Sequence, residues 1–237
     1  MNFKEAIEFF SDLIFPIDCV ECGREGEWWC NQCRKRTQFL ITQQCAVCHL
    51  ENTTGATCEQ CRQDSFLDGV IALYRYGDDL PIGRLIKKYK YNYARSIDRV
   101  WKIIFSEGVK DGRFSFVDHI AIPVPLHARR ERERGYNQAG NLAKIFASTI
   151  SIDCDLCSLG RVRSTSQQAH LSGVKRRENV KNAFAWSRGG IEPLGSKVVL
   201  LDDVFTTGAT MQECARALKM AGVRTVWGLV LARPLGH

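Results

Sequence analysis

The stretch Val-Val-Leu-Leu-Asp-Asp-Val-Phe-Thr-Thr-Gly-Ala-Thr-Met, residues 198–211, decides the fold of this chain. Its first four residues form an apolar run that is typical of a strand buried on both faces of a parallel sheet. Met211, Ala215 and Leu218 then recur at helical spacing, so a turn is expected at the carboxyl end of the strand. Small residues in this turn let backbone N–H groups approach a phosphate at the helix N-terminus.

Two adjacent acids, Asp202 and Asp203, separate the apolar run from the turn. Carboxylates suit ribose hydroxyls rather than phosphate, because they only accept hydrogen bonds when ionised. A strand that ends in an Asp-capped turn is the alternative, although two acids are more than a cap requires. The segment resembles the phosphoribosyl pyrophosphate (PRPP) motif of the type I phosphoribosyltransferases: four hydrophobic residues, two acids and a variant of Thr-Thr-Gly-Ala/Ser-Thr.

Eight of the eleven cysteines lie between residues 19 and 61, in four pairs that each have two residues between their members. This spacing lets a pair place two thiolates on one metal, and four thiolates around zinc form a structural site. Disulfides and an iron–sulfur cluster are the alternatives, and a cytosolic setting disfavours the disulfides. The predicted ligands are Cys19, Cys22, Cys30, Cys33, Cys45, Cys48, Cys58 and Cys61.

The way in which these pairs combine is open. The short gaps from Cys22 to Cys30 and from Cys48 to Cys58 favour sequential pairing, with two pairs on one zinc ion and two on another. Interleaved pairing, or one site with idle cysteines, is also compatible with the spacing. A module this small buries little apolar surface, so metal binding should supply most of its folding free energy.

The cysteines divide the 237 residues into parts of different composition. We expect an N-terminal helix and zinc-ribbon module over 1–66 and an α/β domain over 67–237. The formal net charge of +7 is concentrated in basic clusters, which favours anionic partners. Acidic residues interrupt the N-terminal apolar positions, and no stretch approaches the roughly 18 apolar residues of a membrane span. A cytoplasmic protein without membrane insertion is expected.

Beyond the cysteines, strand-like runs alternate with helical spacing. This alternation predicts a mostly parallel sheet with helices on both faces and a ligand at the carboxyl ends of the strands. The expected strands are 70–74, 120–124, 198–202 and 225–231, and the expected helices are 82–89, 97–104, 136–150 and 209–221.

A second anion site is expected where Ile-Pro-Val-Pro-Leu, residues 122–126, ends a strand in a rigid turn. Arginine side chains follow, and their forks together with helix-start amides can hold pyrophosphate oxygens. A basic loop on the solvent face is the alternative. The polar tract between Arg161 and Phe184 is typical of a lid that excludes water from activated ribose, or of disorder.

These motifs together resemble the ComF family, to which the competence protein ComFC and GntX belong. The resemblance covers nearly the whole chain. It implies a type I phosphoribosyltransferase-like domain behind a zinc ribbon, with Mg²⁺ accompanying PRPP, and a role in natural transformation and DNA use. The residues implied in binding are Asp202 and Asp203 for the ribose hydroxyls, Thr206, Thr207, Gly208, Ala209 and Thr210 for the 5′-phosphate, and Pro123, Val124, Arg129 and Arg134 for the pyrophosphate.

Three functions agree with this sequence. The chain could transfer phosphoribose to an unidentified acceptor, bind PRPP and single-stranded DNA together with other DNA-uptake proteins, or sense PRPP without turnover. Basic clusters beside aromatic residues suit a nucleic-acid strand. The aromatic residues considered are Trp28, Tyr89, Tyr91 and Tyr93, which could equally belong to the core.

Overall fold

The computed structural model describes residues 17–91, 95–126, 131–132, 135–163, 178–187 and 192–234. The N-terminal amphipathic segment, Arg129, Arg134 and most of the tract from 161 to 184 lie outside these residues. Within the described ranges, no helix is both long enough and apolar enough to span a bilayer.

A parallel sheet forms the centre of the protein. The described strands are β1 (Gln43–Gln44), β2 (Glu51–Asn52), β3 (Gly69–Arg75), β4 (Ile120–Pro123), β5 (Leu159–Arg161), β6 (Phe184–Trp186), β7 (Lys197–Val204) and β8 (Thr225–Arg233). Four of them make up the parallel sheet, in the order β3-β8-β7-β4. Two short antiparallel pairs accompany it, β1 with β2 and β5 with β6.

Helices cover both faces of the sheet. The described α-helices are α1 (Asn31–Arg36), α2 (Pro81–Tyr91), α3 (Asp98–Lys110), α4 (Gln138–Ile150) and α5 (Ala209–Met220). Val199 and Leu201 of β7 point into the core shared with α2, α3 and α4. Val198 and Leu200 point to the opposite face, where α5 and the β5–β6 pair cover the sheet. The predicted parallel sheet with helices on both faces is confirmed.

The first cysteine pairs belong to the main core rather than to a separate one. Cys19, Cys33 and Trp29 are buried in the cluster that contains α2, α3 and α4. Trp29 meets Tyr74 of β3 edge-on, with ring centroids 5.7 Å apart. The boundary between residues 66 and 67 stays a prediction, although residues from both sides of it share this core.

The edge of the sheet at β3 is covered by the cysteine-rich segment. The buried Gln43 accepts a hydrogen bond from the Ala72 amide at 2.9 Å and donates to the Ala72 carbonyl at 3.1 Å. Leu40 donates to the Leu73 carbonyl at 2.8 Å, and Val70 donates to Gly55 at 2.8 Å. These bonds satisfy backbone groups that an open edge strand would leave unpaired.

We expect Gln43→Ala to destabilise the fold by about 2 kcal/mol or more, because it leaves a buried amide and carbonyl of β3 without partners. Urea unfolding of the zinc-loaded chain measures this change. Gln38→Ala is the matched control, since Gln38 is exposed in the same segment. Equal stability of the two variants would contradict the role of Gln43.

Candidate functional site

The two acids lie on opposite faces of β7, close to its carboxyl end. Side chains alternate along a strand, so Asp203 shares the face of Leu201 and Asp202 that of Leu200. The Asp202 carboxylate accepts a hydrogen bond from the Asp203 amide at 2.8 Å. The acid pair therefore reaches to both sides of the strand end.

Lys90 approaches this pair from the last turn of α2. Its Nζ lies 2.6 Å from Oδ2 of Asp203, and both side chains are largely buried. A buried carboxylate is stable when it is paired and hydrogen-bonded. Lys90 thus places one fixed positive charge beside the two acids.

Burial raises the pKa of Asp202 to about 7, and the negative charge of Asp203 acts in the same direction. Lys90 and the Asp203 amide counteract this rise in the pKa, but more weakly. Asp202 therefore exchanges its proton near neutral pH, and its ability to hold a cation depends on pH.

The turn that follows β7 is shaped by Gly208, which has a left-handed φ of 71° and is the N-cap of α5. A Cβ at this position would lie 2.4 Å from the ring of Phe205. Among the described residues, the amides of Thr206, Thr207 and Gly208 donate no backbone hydrogen bond. These N–H groups, with the first amides of α5, can donate hydrogen bonds to an anion.

The predicted pyrophosphate turn starts next to the acids. Pro123 pairs with Leu201 in the register of β4 and β7. The buried Val124 donates to the Leu201 carbonyl at 2.9 Å. The structure thus brings Pro123 and Val124 to the strand end that carries Asp202, whereas Arg129 and Arg134 lie outside the described residues.

Arg233, at the end of β8, is a buried cation at the same edge of the sheet. Only 1% of its surface is exposed. Its Cζ lies 5.1 Å from the centre of the Phe205 ring. Burial lowers the pKa of Arg233, and the negative charge of Cys45 counteracts this.

The cysteines form two groups in chain order, as sequential pairing predicts: Cys19, Cys22, Cys30 and Cys33, then Cys45, Cys48, Cys58 and Cys61. Within each group the sulfur atoms lie within 4.8 Å of one another. The Sγ atoms of Cys22 and Cys30 are 3.8 Å apart, and those of Cys48 and Cys58 are 3.7 Å apart. Disulfide bonds are far shorter, and a tetrahedron with Zn–S bonds of about 2.3 Å has edges of about 3.8 Å. Each group can hold a zinc ion.

The surroundings of the sulfur atoms also favour a cation. Burial tends to raise the pKa of Cys19, but amides including those of Cys22 and Cys30 lower it to about 6. For Cys33, burial and the neighbouring thiols, including charged Cys19, raise the pKa well above its ordinary value. Four thiolates so close together therefore need a metal ion between them.

The predicted aromatic surface is only partly present. Tyr89 is fully buried and donates to Asp98 at 2.9 Å, so of its two alternatives the core position is correct and the exposed stacking position is excluded. Its position on the inner face of α2 accounts for the burial. Trp28 is half-buried, with Lys88 Nζ 5.1 Å from its ring centre. Tyr93 and the side chain of Tyr91 lie outside the residues that the structure describes.

Sequence reasoning missed the partners of Lys90 and the place of Arg233. Lys90 was visible only as a member of the basic run with Lys87 and Lys88, which does not reveal its carboxylate partner. Arg233 carries no motif. Both contacts join segments that are distant in sequence, so no local pattern could have identified them.

Comparison with known proteins agrees with this geometry. Residues 133–235 match the model of the phosphoribosyl transferase domain. The chain is 32% identical over 231 residues to Competence protein F of Haemophilus influenzae, covering 92% of this chain and 98% of that protein. It is 30% identical over 217 residues to the DNA utilization protein YhgH of Shigella flexneri, covering 89% and 92%. Identity to Competence protein ComFC of Bacillus subtilis is 26% over 204 residues, covering 81% and 78%.

The acid pair and the small-residue turn at the end of β7 lie within residues 133–235, which match the phosphoribosyl transferase domain. Together with the parallel sheet, they define a phosphoribosyltransferase-like protein. Here that domain follows a segment with two four-cysteine groups. The chain belongs to the ComF family of competence proteins, as the near full-length match to Competence protein F shows. The resemblance inferred from the sequence is thereby confirmed.

The raised pKa of Asp202 predicts a pH-dependent stability. The pKa is about 7 in the folded protein, against an ordinary value of 3.8. Protonation therefore stabilises the fold fully below about pH 4, and this contribution is lost as the pH rises through about 7. Asp202→Asn stays neutral, so its stability relative to the unsubstituted chain should increase from about pH 5 to about pH 8.

Urea unfolding of both zinc-loaded proteins at these two pH values measures the difference in their stability. The cysteines titrate in both proteins, so their contribution cancels in this difference. Asp64→Asn is the control, because Asp64 is exposed. A difference that is the same at both pH values would contradict the assignment.

Proposed function

We propose that this protein binds PRPP with Mg²⁺ at the carboxyl end of β7 and acts in the uptake or use of DNA. The observation that carries the proposal is the left-handed turn at Gly208, whose amides lie directly after the acid pair. A phosphate and a sugar diol are adjacent in PRPP, so one ligand would satisfy both groups.

The 5′-phosphate fits the turn from Thr206 to Thr210. The turn offers N–H donors and the positive end of the α5 dipole, and none of its own side chains is larger than threonine. Thr207 Oγ1 lies 3.5 Å from the Ala209 amide, which supports the turn from within. The bound phosphate would replace water at these donors.

The acids suit the ribose hydroxyls and the cation. Asp202 and Asp203 offer carboxylate oxygens, the ligand type that Mg²⁺ prefers, while the ion keeps several waters. When bound, Mg²⁺ supplies neutralisation of the pyrophosphate charge. Lys90 holds Asp203 in place and adds a positive charge on the side of the sheet that α2 covers.

The pyrophosphate fits the segment after β4. Pro123 and Val124 are held beside Leu201 and so beside the acids. By the family resemblance, Arg129 and Arg134 would add guanidinium contacts. If transfer occurs, a nucleophile displaces pyrophosphate at the anomeric carbon, and fixed charges stabilise the transition state.

The response to candidate phosphoribose acceptors distinguishes a transferase from a PRPP sensor. Release of pyrophosphate only with a particular nucleophile would indicate a transferase. Binding of PRPP without turnover in the presence of nucleobases and nucleic acid would favour a sensor. Zinc in the cysteine groups is structural in either case, since all four ligand positions are thiolates.

A DNA-related role is supported by the relatives and by one surface. Competence protein F and the DNA utilization protein YhgH carry such roles in their names. Lys88 of α2 places its Nζ 5.1 Å from the ring centre of the half-buried Trp28, whose Nε1 donates to Ser96 at 2.7 Å. Lys87 precedes it on the same helix and pairs with Asp78 at 3.0 Å. A fixed indole next to an ammonium group suits the bases and phosphates of single-stranded DNA.

Titration calorimetry of the zinc-loaded chain with Mg²⁺ and PRPP tests the binding proposal. Asp202→Asn combined with Asp203→Asn should weaken binding by about 100-fold or more, because two charge-assisted hydrogen-bond acceptors are lost. Gly208→Ala should also weaken binding, since a Cβ would collide with Phe205.

Gly112→Ala is the matched control, because Gly112 has a similar φ of 65° but no atoms within 4 Å of the added Cβ. No heat from the unsubstituted protein, or equal affinity of the Gly208→Ala variant, would refute the site.

Fluorescence anisotropy with a labelled single strand at several salt concentrations tests the DNA proposal. Replacing both Lys87 and Lys88 by alanine should weaken binding and make the slope of log K against log salt shallower by about 1.4, or about 0.7 per lost phosphate contact. Lys110→Ala removes an exposed lysine at the end of α3 and serves as the control. Binding that does not depend on salt, or an equal effect of the control, would count against this surface.

A further inference from the structure

Arg233 lies between the second cysteine group and the turn that follows β7. It is the last residue of β8, and its carbonyl accepts a hydrogen bond from the Tyr76 amide at 2.7 Å. The main chain is therefore fixed at the carboxyl edge of the sheet. The side chain is almost completely buried, so it contacts both neighbouring segments without intervening solvent.

The guanidinium group contacts neutral partners on the side of the cysteines. Nη1 donates to the Gln44 carbonyl at 3.1 Å, and Nη2 lies 3.1 Å from Nδ1 of His49. Gln44 directly precedes the metal ligand Cys45. Nε is buried without a hydrogen-bond partner among the described residues. A buried cation with only neutral partners is costly unless a negative charge lies nearby.

The second cysteine group supplies such a charge once it is loaded. A zinc ion with four thiolate ligands carries a net charge of about −2. The ligand next to Arg233, Cys45, is itself fully buried. Water therefore screens little of the attraction between the loaded group and the guanidinium.

On its other side the guanidinium lies over the ring of Phe205, with Cζ 5.1 Å from the ring centre. The same ring lies under Gly208, where an added Cβ would approach it to 2.4 Å. The Phe205 amide donates to the Ala232 carbonyl at 3.0 Å, which fixes the ring beside β8. A continuous series of contacts thus leads from Cys45 to the turn.

We propose that Arg233 offsets part of the negative charge of the zinc–thiolate group formed at Cys45, Cys48, Cys58 and Cys61 and, through Phe205, fixes the turn at Gly208, so that zinc in this group strengthens PRPP binding. Arg233 is a positioning residue in this arrangement, since it acts through Phe205. The part concerning PRPP rests on the proposed function, whereas the part concerning zinc does not.

The zinc affinity of the full chain, measured by competition with a chromogenic chelator, tests the first part. Arg233→Met should weaken the affinity for one of the two zinc ions by about 10–100-fold, as is typical when a residue that supports metal ligands is lost. Arg233→Lys, which keeps the charge but not the fork, should recover part of this affinity. Arg224→Met removes an exposed arginine near the start of β8 and should leave both affinities unchanged.

Calorimetry with Mg²⁺ and PRPP tests the second part. Phe205→Leu should keep both zinc ions but weaken PRPP binding by about 5-fold or more, within the range of typical couplings between sites. Cys48→Ser, which removes an exposed ligand of the second group, should weaken PRPP binding more than Cys22→Ser, which removes an exposed ligand of the first. This comparison holds even if Arg233→Met does not fold.

Wild-type zinc affinity in Arg233→Met would overturn the charge-balancing role. Equal PRPP affinities of the Cys48→Ser and Cys22→Ser variants would overturn the coupling. Absence of PRPP binding by the unsubstituted chain would refute the proposed function, while the zinc titrations would still decide the role of Arg233.

Discussion

The whole site depends on β7 being hydrogen-bonded on both sides. Pairing with β8 and β4 keeps residues 198–201 buried on both faces. The pairing with β4 ends at Leu201, just before the acids, whereas the pairing with β8 continues to Val204. Because side chains alternate, this pairing also sends Asp202 toward α5 and Asp203 toward Lys90. A shift of one residue in register would exchange the two acids and bury the wrong apolar residues.

The cysteine-rich segment packs against the same sheet. It covers the β3 edge through Gln43, adds Trp29 to the core against Tyr74, and brings the second cysteine group to Arg233. The opposite edge is covered more simply, where Ala121 of β4 exchanges hydrogen bonds of 2.9 Å with Asp153 and Asp155. Both edges are thus closed by segments outside the four strands.

Local patterns in the sequence predicted the main elements well. The apolar run before Asp202 and the spacing after Thr210 correspond to β7 and α5, and the spacing of the cysteines predicted both groups. The three-residue strands β5 and β6 were not predicted, because so short a segment has no resolvable period. Gln43, Lys90 and Arg233 were missed because their roles arise from contacts between distant segments. For Tyr89 the sequence left an exposed position and a core position open, because the basic run and the apolar helical spacing occupy the same stretch of α2.

The hydrogen bonds that cover the β3 edge have a consequence when the protein loses its zinc. Gln43 and Leu40 hold backbone positions of β3 from a segment whose own shape depends on the thiolates that follow it. Without the ion, the amide and carbonyl of Ala72 and the carbonyl of Leu73 would lose these partners and be open to any other extended chain. Zinc would then prevent self-association. Protein depleted of zinc would associate through the β3 edge before its parallel sheet unfolds.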